Sequence, residues 1–196
     1  MSDQVDLDQR FLVAVERLGR ALRLARQQVA TIHGLSVLQL QLLEHLHARG
    51  DSRIGELGSE FAVTQPTISD AIAALGRKSL IERKRDINDG RATLVTLTQP
   101  GATLARLITT ELAPTRAERC APDEDHQAIA LSVILQEIRG FHDAGLLSID
   151  RSCLTCRHHQ PASGSSGARC LLLDQLLEAR QLRVDCPDHQ PDPATG

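Results

Sequence analysis

The most constraining stretch of this sequence runs from Val63 to Arg77 and has the pattern of a short amphipathic helix. Thr64 is a suitable N-cap, and Pro66 falls in the first turn, where its missing N–H costs nothing. Three apolar side chains share one stripe at about 100° per residue: Ile68, Ile72 and Leu75. The opposite side carries small or polar residues: Pro66, Ser69, Asp70, Ala73 and Arg77. Such a surface fits the groove of a nucleic acid, and an ordinary surface helix is the alternative.

The segments before this helix complete a known supersecondary pattern. A helix is predicted to begin at Ser36, with leucines at helical spacing, and to end at Gly50. A second element runs from Arg53 to Phe61, and Val63-Thr64 forms a tight break before the next helix. Two short helices joined by a turn of about three or four residues form a helix-turn-helix, whose second helix enters the major groove.

The residues after the helix change to the alternation of a β-hairpin. Asp89-Gly90 separates a run that begins at Ile81 from the run Thr93–Leu97, and this arrangement is a strong hairpin signal. Thr98 and a turn formed by Gln99-Pro100-Gly101 are predicted to end the hairpin. Residues 77–91 contain six basic and three acidic side chains, a net charge of +3. The basic residues are Arg77, Lys78, Arg83, Lys84, Arg85 and Arg91. A basic hairpin beside a reading helix is typical of a wing that contacts phosphates or the minor groove.

The composition limits where binding energy can come from. The formal net charge is −3, so any DNA affinity has to come from local patches such as the wing. Hydrophobic residues make up 41% of the 196 residues, without Trp or Tyr, which favours an aliphatic core built from helices. No apolar run approaches the roughly 18 residues of a membrane span, and no basic-then-apolar leader is visible. We therefore expect a cytoplasmic protein without a membrane partner.

Three further helices are predicted outside the reading unit, over residues 5–30, 101–119 and 122–142. Together they carry more apolar surface than one small winged domain can cover, and a two-fold dimer interface formed from both ends of the chain would cover it. Such a homodimer would also present two reading helices to successive major grooves of a pseudo-palindrome. We predict a mainly α fold with a small β-hairpin wing (α+β), in which long dimerisation helices flank a winged helix-turn-helix.

Four strings in this region resemble a known family. They are Val63–Ser69, Lys78–Arg83, Asp89–Arg91 and Val95–Gly101. Over roughly residues 8–143 the chain is similar to the MarR family of winged-helix transcriptional regulators. The resemblance implies a homodimer on pseudo-palindromic double-stranded DNA, often released by a small ligand or by oxidation.

The resemblance also implies roles for single residues. Major-groove contacts would come from Thr64, Gln65, Thr67 and Ser69, and the minor-groove contact from Arg91. Together with the wing charges, the DNA-binding candidates are Thr64, Gln65, Pro66, Thr67, Ser69, Arg77, Arg83, Lys84, Arg85 and Arg91. Two residues depart from the family pattern. Asp70 disfavours a close phosphate, and Ser79 replaces the usual glycine after the recognition helix.

The last part of the chain carries a separate pattern of cysteines. The spacing is Cys153-x2-Cys156-x13-Cys170-x15-Cys186, and His189 follows closely. A CxxC turn holds two thiolates together, and ligands from a distant segment complete a tetrahedron. In a segment too small for its own core, a metal supplies folding energy. We predict a metal site formed by these four cysteines, with His189, or one of His158 and His159, as a substitute for one cysteine.

The spacing does not choose the metal. Structural Zn²⁺ is our first expectation, and an iron–sulfur cluster is the alternative because four thiolates hold it equally well. Disulfides are uncommon in the cytosol, which favours metal over cross-links. Cys120 lies apart from the group and is expected to be a small buried hydrophobe.

These patterns predict a winged-helix and dimerisation domain over residues 5–143, with its reading head at about 36–98. A Cys-rich metal-binding module follows over 150–190, and a disordered tail over 191–196. The predicted function is transcription regulation, with the metal site either structural or a redox or metal sensor. The alternative is a zinc-stabilised winged-helix module that binds proteins and not DNA. An enzyme is not expected, because the H-x-E pattern of zinc deaminases is absent.

Overall fold

The computed structural model describes residues 2–85, 92–113, 123–147, 149–164 and 167–193, with side chains from residue 6 onwards. The chain divides into two compact units, residues 1–119 and residues 120–196. The last long helix therefore belongs to the same unit as the cysteine-rich segment. None of the described helices has both the length and the apolar character needed to cross a membrane.

The described residues of the first unit form five helices and three short strands. In chain order they are α1 (Ser2–Ile32), α2 (Val37–Arg49), β1 (Ser52–Arg53), α3 (Ile54–Glu60), α4 (Gln65–Arg77), β2 (Ile81–Arg85), β3 (Thr93–Leu97) and α5 (Gln99–Leu112). The strands form one antiparallel sheet in the order β1-β3-β2. A mainly helical fold with a small antiparallel sheet is thus confirmed. Strand β1 was not predicted, because a two-residue strand has no readable alternation.

The core of the first unit is aliphatic, as the lack of Trp and Tyr predicted. Its fully buried large side chains are Leu40, Leu42, Leu43, Leu57, Ile68, Ile72, Leu75, Val95 and Ile108. Each such burial contributes about 1.5–3 kcal/mol relative to an exposed side chain. Ser36 caps α2 in a reciprocal capping box with Gln39 and so fixes where the helix begins. The reading helix α4 is therefore anchored by one face on a closely packed core.

The start of α5 differs from the prediction. Gln99, Pro100 and Gly101 were expected to form a turn that ends the hairpin, but they form the first turn of α5. Thr98 is the N-cap, and its hydroxyl accepts a hydrogen bond from the N–H of Gly101 at 3.1 Å. Pro100 is tolerated because the first N–H groups of a helix have no intrahelical partner. The Thr-x-x-Gly string is thus a cap and not a turn.

Among the described residues, helix α1 is held to its own unit near its C-terminal end. Val29 and Ala30 are buried in the core, and His33 Nε2 lies 2.7 Å from Glu111 Oε2 on α5. The preceding turns expose large apolar side chains: Leu7, Leu12, Val13, Val15, Leu18 and Leu24. A helix of 31 residues is about 46 Å long, so most of its length has no packing partner among the described residues of the first unit.

The described residues of the second unit form one long helix and a small sheet. Its elements are α6 (Glu124–Asp143), β4 (His159–Gln160), β5 (Arg169–Cys170) and β6 (Gln175–Leu176), with short 3₁₀ turns at Cys153–Thr155 and Ala179–Gln181. The antiparallel sheet, in the order β4-β5-β6, was not predicted. Its strands have two residues each and lie between closely spaced turns, so periodicity could not reveal them.

Helix α6 packs on the cysteine-rich segment at both ends. Near its C-terminus the Arg139 guanidinium donates a hydrogen bond to the carbonyl of Leu154 at 2.9 Å. Near its N-terminus Asp125 pairs with Arg180 at 2.9 Å. The helix and the segment after it therefore form one packed body.

The end of the chain is partly paired where a disordered tail was predicted over 191–196. Pro191 forms a backbone bridge with Cys156, and the N–H of Asp192 donates to the carbonyl of Thr155 at 3.1 Å. Residues 194–196 lie outside the described residues. The first residues of this segment are ordered because the CxxC turn offers them backbone partners.

Candidate functional site

Helices α3 and α4 form a tight helix-turn-helix. The turn needs one residue with positive φ, and Ala62 supplies it at +50°. The N–H of Val63 then donates to the carbonyl of Gly58 at 3.1 Å, which closes the turn. A β-carbon at Gly58 would lie 3.5 Å from Gln65 Oε1, so the two helices approach closely at this point. The predicted two-helix motif is present, with boundaries within one residue of those predicted for the first helix, Arg53 to Phe61 against Ile54–Glu60.

The N-terminus of α4 presents a polar and accessible face. Thr64 caps the helix by accepting from the N–H of Thr67, and their hydroxyl oxygens lie 2.8 Å apart. The candidates Thr64, Gln65, Pro66 and Thr67 are exposed, and Ser69 is half-buried. The opposite face of the helix is buried through Ile68, Ala71, Ile72 and Leu75. Core packing thus fixes the helix while its first turn faces outward, where a base edge could be reached.

The strand after α4 carries the basic side chains of the wing. Arg83, Lys84 and Arg85 are all exposed on β2, and Arg77 is exposed at the end of α4. Lys84 lies 2.9 Å from Glu82, and the Glu82 hydrogen bond and charge raise its pKa, so the ammonium stays charged. The predicted hairpin is confirmed by the pairing of β2 with β3. Its predicted tip, Asp89-Gly90 and Arg91, lies outside the described residues.

One basic residue of this region has a structural role that the sequence did not reveal. The Lys78 ammonium donates to the carbonyl of Gly34 and to Gln39 Oε1. It therefore joins the end of α4 to the connection between α1 and α2. Sequence reasoning counted Lys78 only as part of the basic charge, because its partners lie about forty residues earlier in the chain. Asp70 is exposed on α4, and nothing in the structure explains it.

Backbone pairing brings the four predicted ligand cysteines, Cys153, Cys156, Cys170 and Cys186, into one module. The N–H of Cys156 donates to the carbonyl of Cys153, which closes the CxxC turn. Cys153 and Arg183 pair through the Cys153 N–H at 3.0 Å, which draws in the segment that contains Cys186. Cys170 lies on β5 and is paired with His159 on β4. His159 follows the last cysteine of the CxxC turn, Cys156, by three residues. The predicted ligand set is thus carried by connected strands and turns, although the segments are distant in sequence.

Two of the thiol sulfurs accept hydrogen bonds from the same residue. The Arg183 N–H lies 3.2 Å from Cys153 Sγ, and its guanidinium lies 3.6 Å from Cys186 Sγ. Burial raises the pKa of the Cys153 thiol, and the Arg183 hydrogen bond lowers it. Negative charge on Cys186, Cys170 and Cys156 raises the pKa of Cys153 further, so the other three cysteines all interact electrostatically with Cys153.

A buried polar network supports the CxxC turn. Ser152 donates from its N–H and its hydroxyl to the two carboxylate oxygens of Asp150, at 2.8 and 3.0 Å. The Thr155 hydroxyl donates to the Asp150 carbonyl at 2.9 Å and lies 3.1 Å from His189 Nε2. This nitrogen of His189, the predicted substitute ligand, therefore already has a partner. The network was missed in the sequence because single Asp, Ser and Thr residues carry no spacing signal.

The thiols do not form a closed ion site as they stand. Within the described ranges, no three or more His, Cys, Asp or Glu side chains are arranged so that they could hold a metal ion. The donor chemistry nevertheless suits a soft metal, since four thiols share one module and one is buried. In the same module, His158 Nε2 is buried and has no hydrogen-bond partner among the described residues. Cys120 lies outside the described residues.

Comparison with known proteins supports the interpretation of the first unit. Residues 33–92 match the model of the MarR family. The uncharacterized HTH-type transcriptional regulator YxaD of Bacillus subtilis (strain 168) is 40% identical over 65 residues, which is 33% of this chain and 46% of YxaD. The match therefore spans just under half of that relative. The proteins of the matched family are transcriptional regulators and not enzymes.

Solved structures show the same fold at low sequence identity. The MarR family transcription regulator SP03579 has a TM-score of 0.65 at 23% identity, covering 74% of this chain and 97% of its own. The transcriptional regulator PA4135 has a TM-score of 0.55 at 17% identity, covering 66% of this chain and 95% of its own. MarR of E. coli has a TM-score of 0.52 at 17% identity, covering 64% of this chain and 93% of its own. Identities below 25% establish only the fold, and each match leaves at least a quarter of this chain uncovered.

Proposed function

We propose that the protein is a sequence-specific transcriptional regulator that reads double-stranded DNA through α4. The observation that carries the proposal is the orientation of this helix. Ile68 and Leu75 anchor one face in the core, while Thr64, Gln65 and Thr67 are exposed at its N-terminus. Recognition helices contact base edges mainly through their N-terminal residues.

The exposed basic strand beside this helix supports a division of labour. Arg83, Lys84 and Arg85 would neutralise phosphates and contribute affinity without sequence preference. Arg77 and Arg91 belong to the same group of basic side chains that we propose to contact the DNA. The side chains of Gln65, Thr67 and Ser69 would then supply the discrimination between bases, because they can donate and accept hydrogen bonds at base edges.

We propose that the protein acts as a homodimer on pseudo-palindromic operators. Support comes from the apolar stripe of α1, which includes Leu7, Val15 and Leu18 and is exposed within its own unit. An exposed apolar stripe this long on a soluble protein normally marks an interface. A two-fold partner offers the same stripe in return, which makes the surface self-complementary. We also propose that a small-molecule or redox effector releases the protein from DNA.

We also propose that Cys153, Cys156, Cys170 and Cys186 hold a metal, with Zn²⁺ first and an iron–sulfur cluster as the alternative. The shared module and the N–H···S hydrogen bonds to Cys153 and Cys186 support it, since metal-bound thiolates accept such bonds. The thiol side chains would converge on binding, as expected where metal binding is coupled to folding. Bound there, the metal would cross-link turns that have little apolar core of their own.

The test of DNA binding uses the full-length protein and its own upstream DNA. We expect affinity to fall steeply with salt, and Arg83→Ala to weaken binding to all sequences while reducing the salt slope by about 1. Gln65→Ala should instead change the preference among operator variants. Equal losses on every sequence for both variants would contradict the division of labour. No binding by the metal-loaded protein at low salt would favour the protein-interaction alternative over DNA reading.

The test of the metal site uses protein purified without oxygen. We expect about one zinc per chain and no visible colour, whereas a brown protein that absorbs near roughly 400 nm would indicate an iron–sulfur cluster. Cys153→Ser should lose the metal. Cys120→Ser is the matched control because Cys120 is outside the proposed ligand set, so its metal content should equal that of the wild type. Unchanged metal in Cys153→Ser would show that the ligand set is wrong.

One observation favours a sensing role for the metal module. Helix α6 is tied to the module at both ends, through Arg139 to Leu154 and through Asp125 to Arg180. Loss or oxidation of the metal site would loosen these contacts and release the helix. Amide exchange along α6 should then rise when a chelator removes the metal. Equal exchange in both states would leave the metal a purely structural role.

A further inference from the structure

Arg183 is the residue that links the two distal parts of the cysteine module. Its backbone and its side chain act on different sulfurs, since the N–H reaches Cys153 at 3.2 Å and the guanidinium reaches Cys186 at 3.6 Å. The carbonyl of Arg183 also accepts from the N–H of Cys153 at 3.0 Å. One residue thus fixes the register of two predicted ligands that are 33 positions apart in the chain.

The charge balance explains why a cation belongs at this position. Four thiolates around Zn²⁺ leave a net charge of −2, and an anionic centre is stabilised by nearby positive charge and by N–H donors. The Arg183 side chain is exposed to solvent on its outer side. It can therefore neutralise the site without the cost of burying a guanidinium. Hydrogen bonds to the sulfurs also lower their electron donation to the metal.

We infer that Arg183 is a positioning residue of the metal site, which neutralises the thiolate centre and orients Cys186 through its guanidinium. The inference rests on the proposed metal site. It assigns a role to a residue that spacing alone does not single out, because arginines are common in this segment. Arg169 of the same module differs in its contacts, since its guanidinium pairs with Asp174 at 2.6 Å. This difference makes Arg169 a control of the same type and charge.

The test titrates Co²⁺ into the reduced full-length apoprotein in competition with a chelator and follows the sulfur-to-cobalt absorption. Arg183→Met should weaken apparent Co²⁺ affinity about tenfold or more, the usual effect of losing an outer partner of a ligand. The Co²⁺ affinity of Arg183→Lys should lie between those of the wild type and Arg183→Met, because lysine keeps the charge but lacks the planar fork of donors. Arg169→Met should bind Co²⁺ like the wild type.

A spectroscopic readout separates positioning from a general loss of structure. In the fully loaded Arg183→Met protein the charge-transfer band should move to longer wavelength, because the Cys186 sulfur has lost a hydrogen bond that lowers its lone-pair energy. A merely loosened fold would lower occupancy without moving the band. Wild-type affinity and an unmoved band in Arg183→Met would overturn the inference and leave the metal site standing. No Co²⁺ binding by the wild type would overturn both.

Discussion

The carbonyl oxygen of Leu80 occupies the place where a side chain of Gly101 would have to begin. A β-carbon at position 101 would lie 1.8 Å from this oxygen and 2.8 Å from the carbonyl carbon. The same carbonyl accepts a hydrogen bond from the N–H of Thr98, which in turn caps α5. The end of the reading head and the start of α5 are therefore joined by backbone atoms in direct contact.

Gly101→Ala should destabilise the protein by about 3 kcal/mol or more, since backbone and not a side chain has to move. Chemical unfolding followed by circular dichroism measures this. Gly76→Ala is the control, because its β-carbon would meet nothing within 4 Å. Gly76 lies within α4, so this change should be neutral or stabilise by up to about 1 kcal/mol. Similar effects of the two changes would contradict the close approach at Gly101.

Ser79→Gly should stabilise the protein. Ser79 has a φ of +57°, a conformation that costs a residue with a β-carbon about 1 kcal/mol. Its carbonyl, and not its side chain, accepts from the Thr98 hydroxyl at 2.7 Å, so glycine would keep that bond. We expect a gain of about 0.5–1 kcal/mol in the free energy of unfolding. Ser59→Gly within α3 should do the opposite, and a loss at position 79 would argue against strain there.

Lys78→Met should destabilise the first unit by about 1 kcal/mol, because it removes hydrogen bonds to Gly34 and Gln39 while keeping the apolar stem. Lys84→Met is the matched control, since Lys84 pairs with Glu82 at an exposed position. Exposed pairs contribute little, so that change should cost less than about 0.5 kcal/mol. The two losses of stability are compared through the urea midpoints of unfolding, measured at equal m-values. An equal loss for both lysines would contradict the role of Lys78 in joining α4 to the connection between α1 and α2.

Leu18→Glu should separate the proposed dimer. Leu18 lies on the apolar stripe of α1 and is 44% exposed in its own unit. Replacing it removes apolar contact and buries a carboxylate in both copies, so dimer affinity should fall about a hundredfold or more. Sedimentation equilibrium measures the change. Gln9→Glu adds the same charge on the opposite side of α1 and should leave the dimer intact. A wild-type chain that sediments as a monomer would reject the proposal itself.

Asp123 should make the start of α6 sensitive to acid. Its carboxylate accepts from the N–H groups of His126 and Asp125, and the hydrogen bond to His126 is the main cause of its lowered pKa. A lowered pKa in the folded state gives stability that is full above the unfolded value of about 3.9 and is lost as pH falls through the folded value. The Tm difference between wild type and Asp123→Ala should therefore shrink below about pH 4.

Asp123→Asn serves as its comparison, because the amide oxygen still caps the helix but does not titrate in this range. The Tm difference between the asparagine and alanine variants should stay constant with pH. If the wild type and Asp123→Ala also differed by a constant amount, the carboxylate would not be the group responsible.

Local signals in the sequence were enough to place the helices and the hairpin. Ser36 and Thr64 cap helices through their own side chains, and the apolar stripe of α4 is readable at helical spacing. These features act over a few residues and therefore appear in any short window of sequence. The boundary at Gln99 was misplaced because Pro and Gly suit a turn as well as a first helical turn.

The identity of the candidate residues could also be predicted from the sequence, but their exposure depends on tertiary packing. Thr64, Gln65 and Thr67 could be identified from the helix pattern, but only packing on Ile68 shows that they face outward. The four cysteines could be identified from spacing. Their assembly depends on backbone pairs such as Cys153 with Arg183, which lie far apart in the chain.

By itself, then, the sequence determined the order and type of the main elements, the polar face of α4 and the cysteine set, because caps, periodicity and spacing are local. The tertiary structure alone decided that Leu80 meets Gly101, that Lys78 reaches Gly34 and that Arg183 serves two sulfurs. These contacts join residues from 21 to 44 positions apart, or one residue to two sulfurs on different turns. No local pattern encodes them, since they arise only when the packed elements bring distant backbone atoms together.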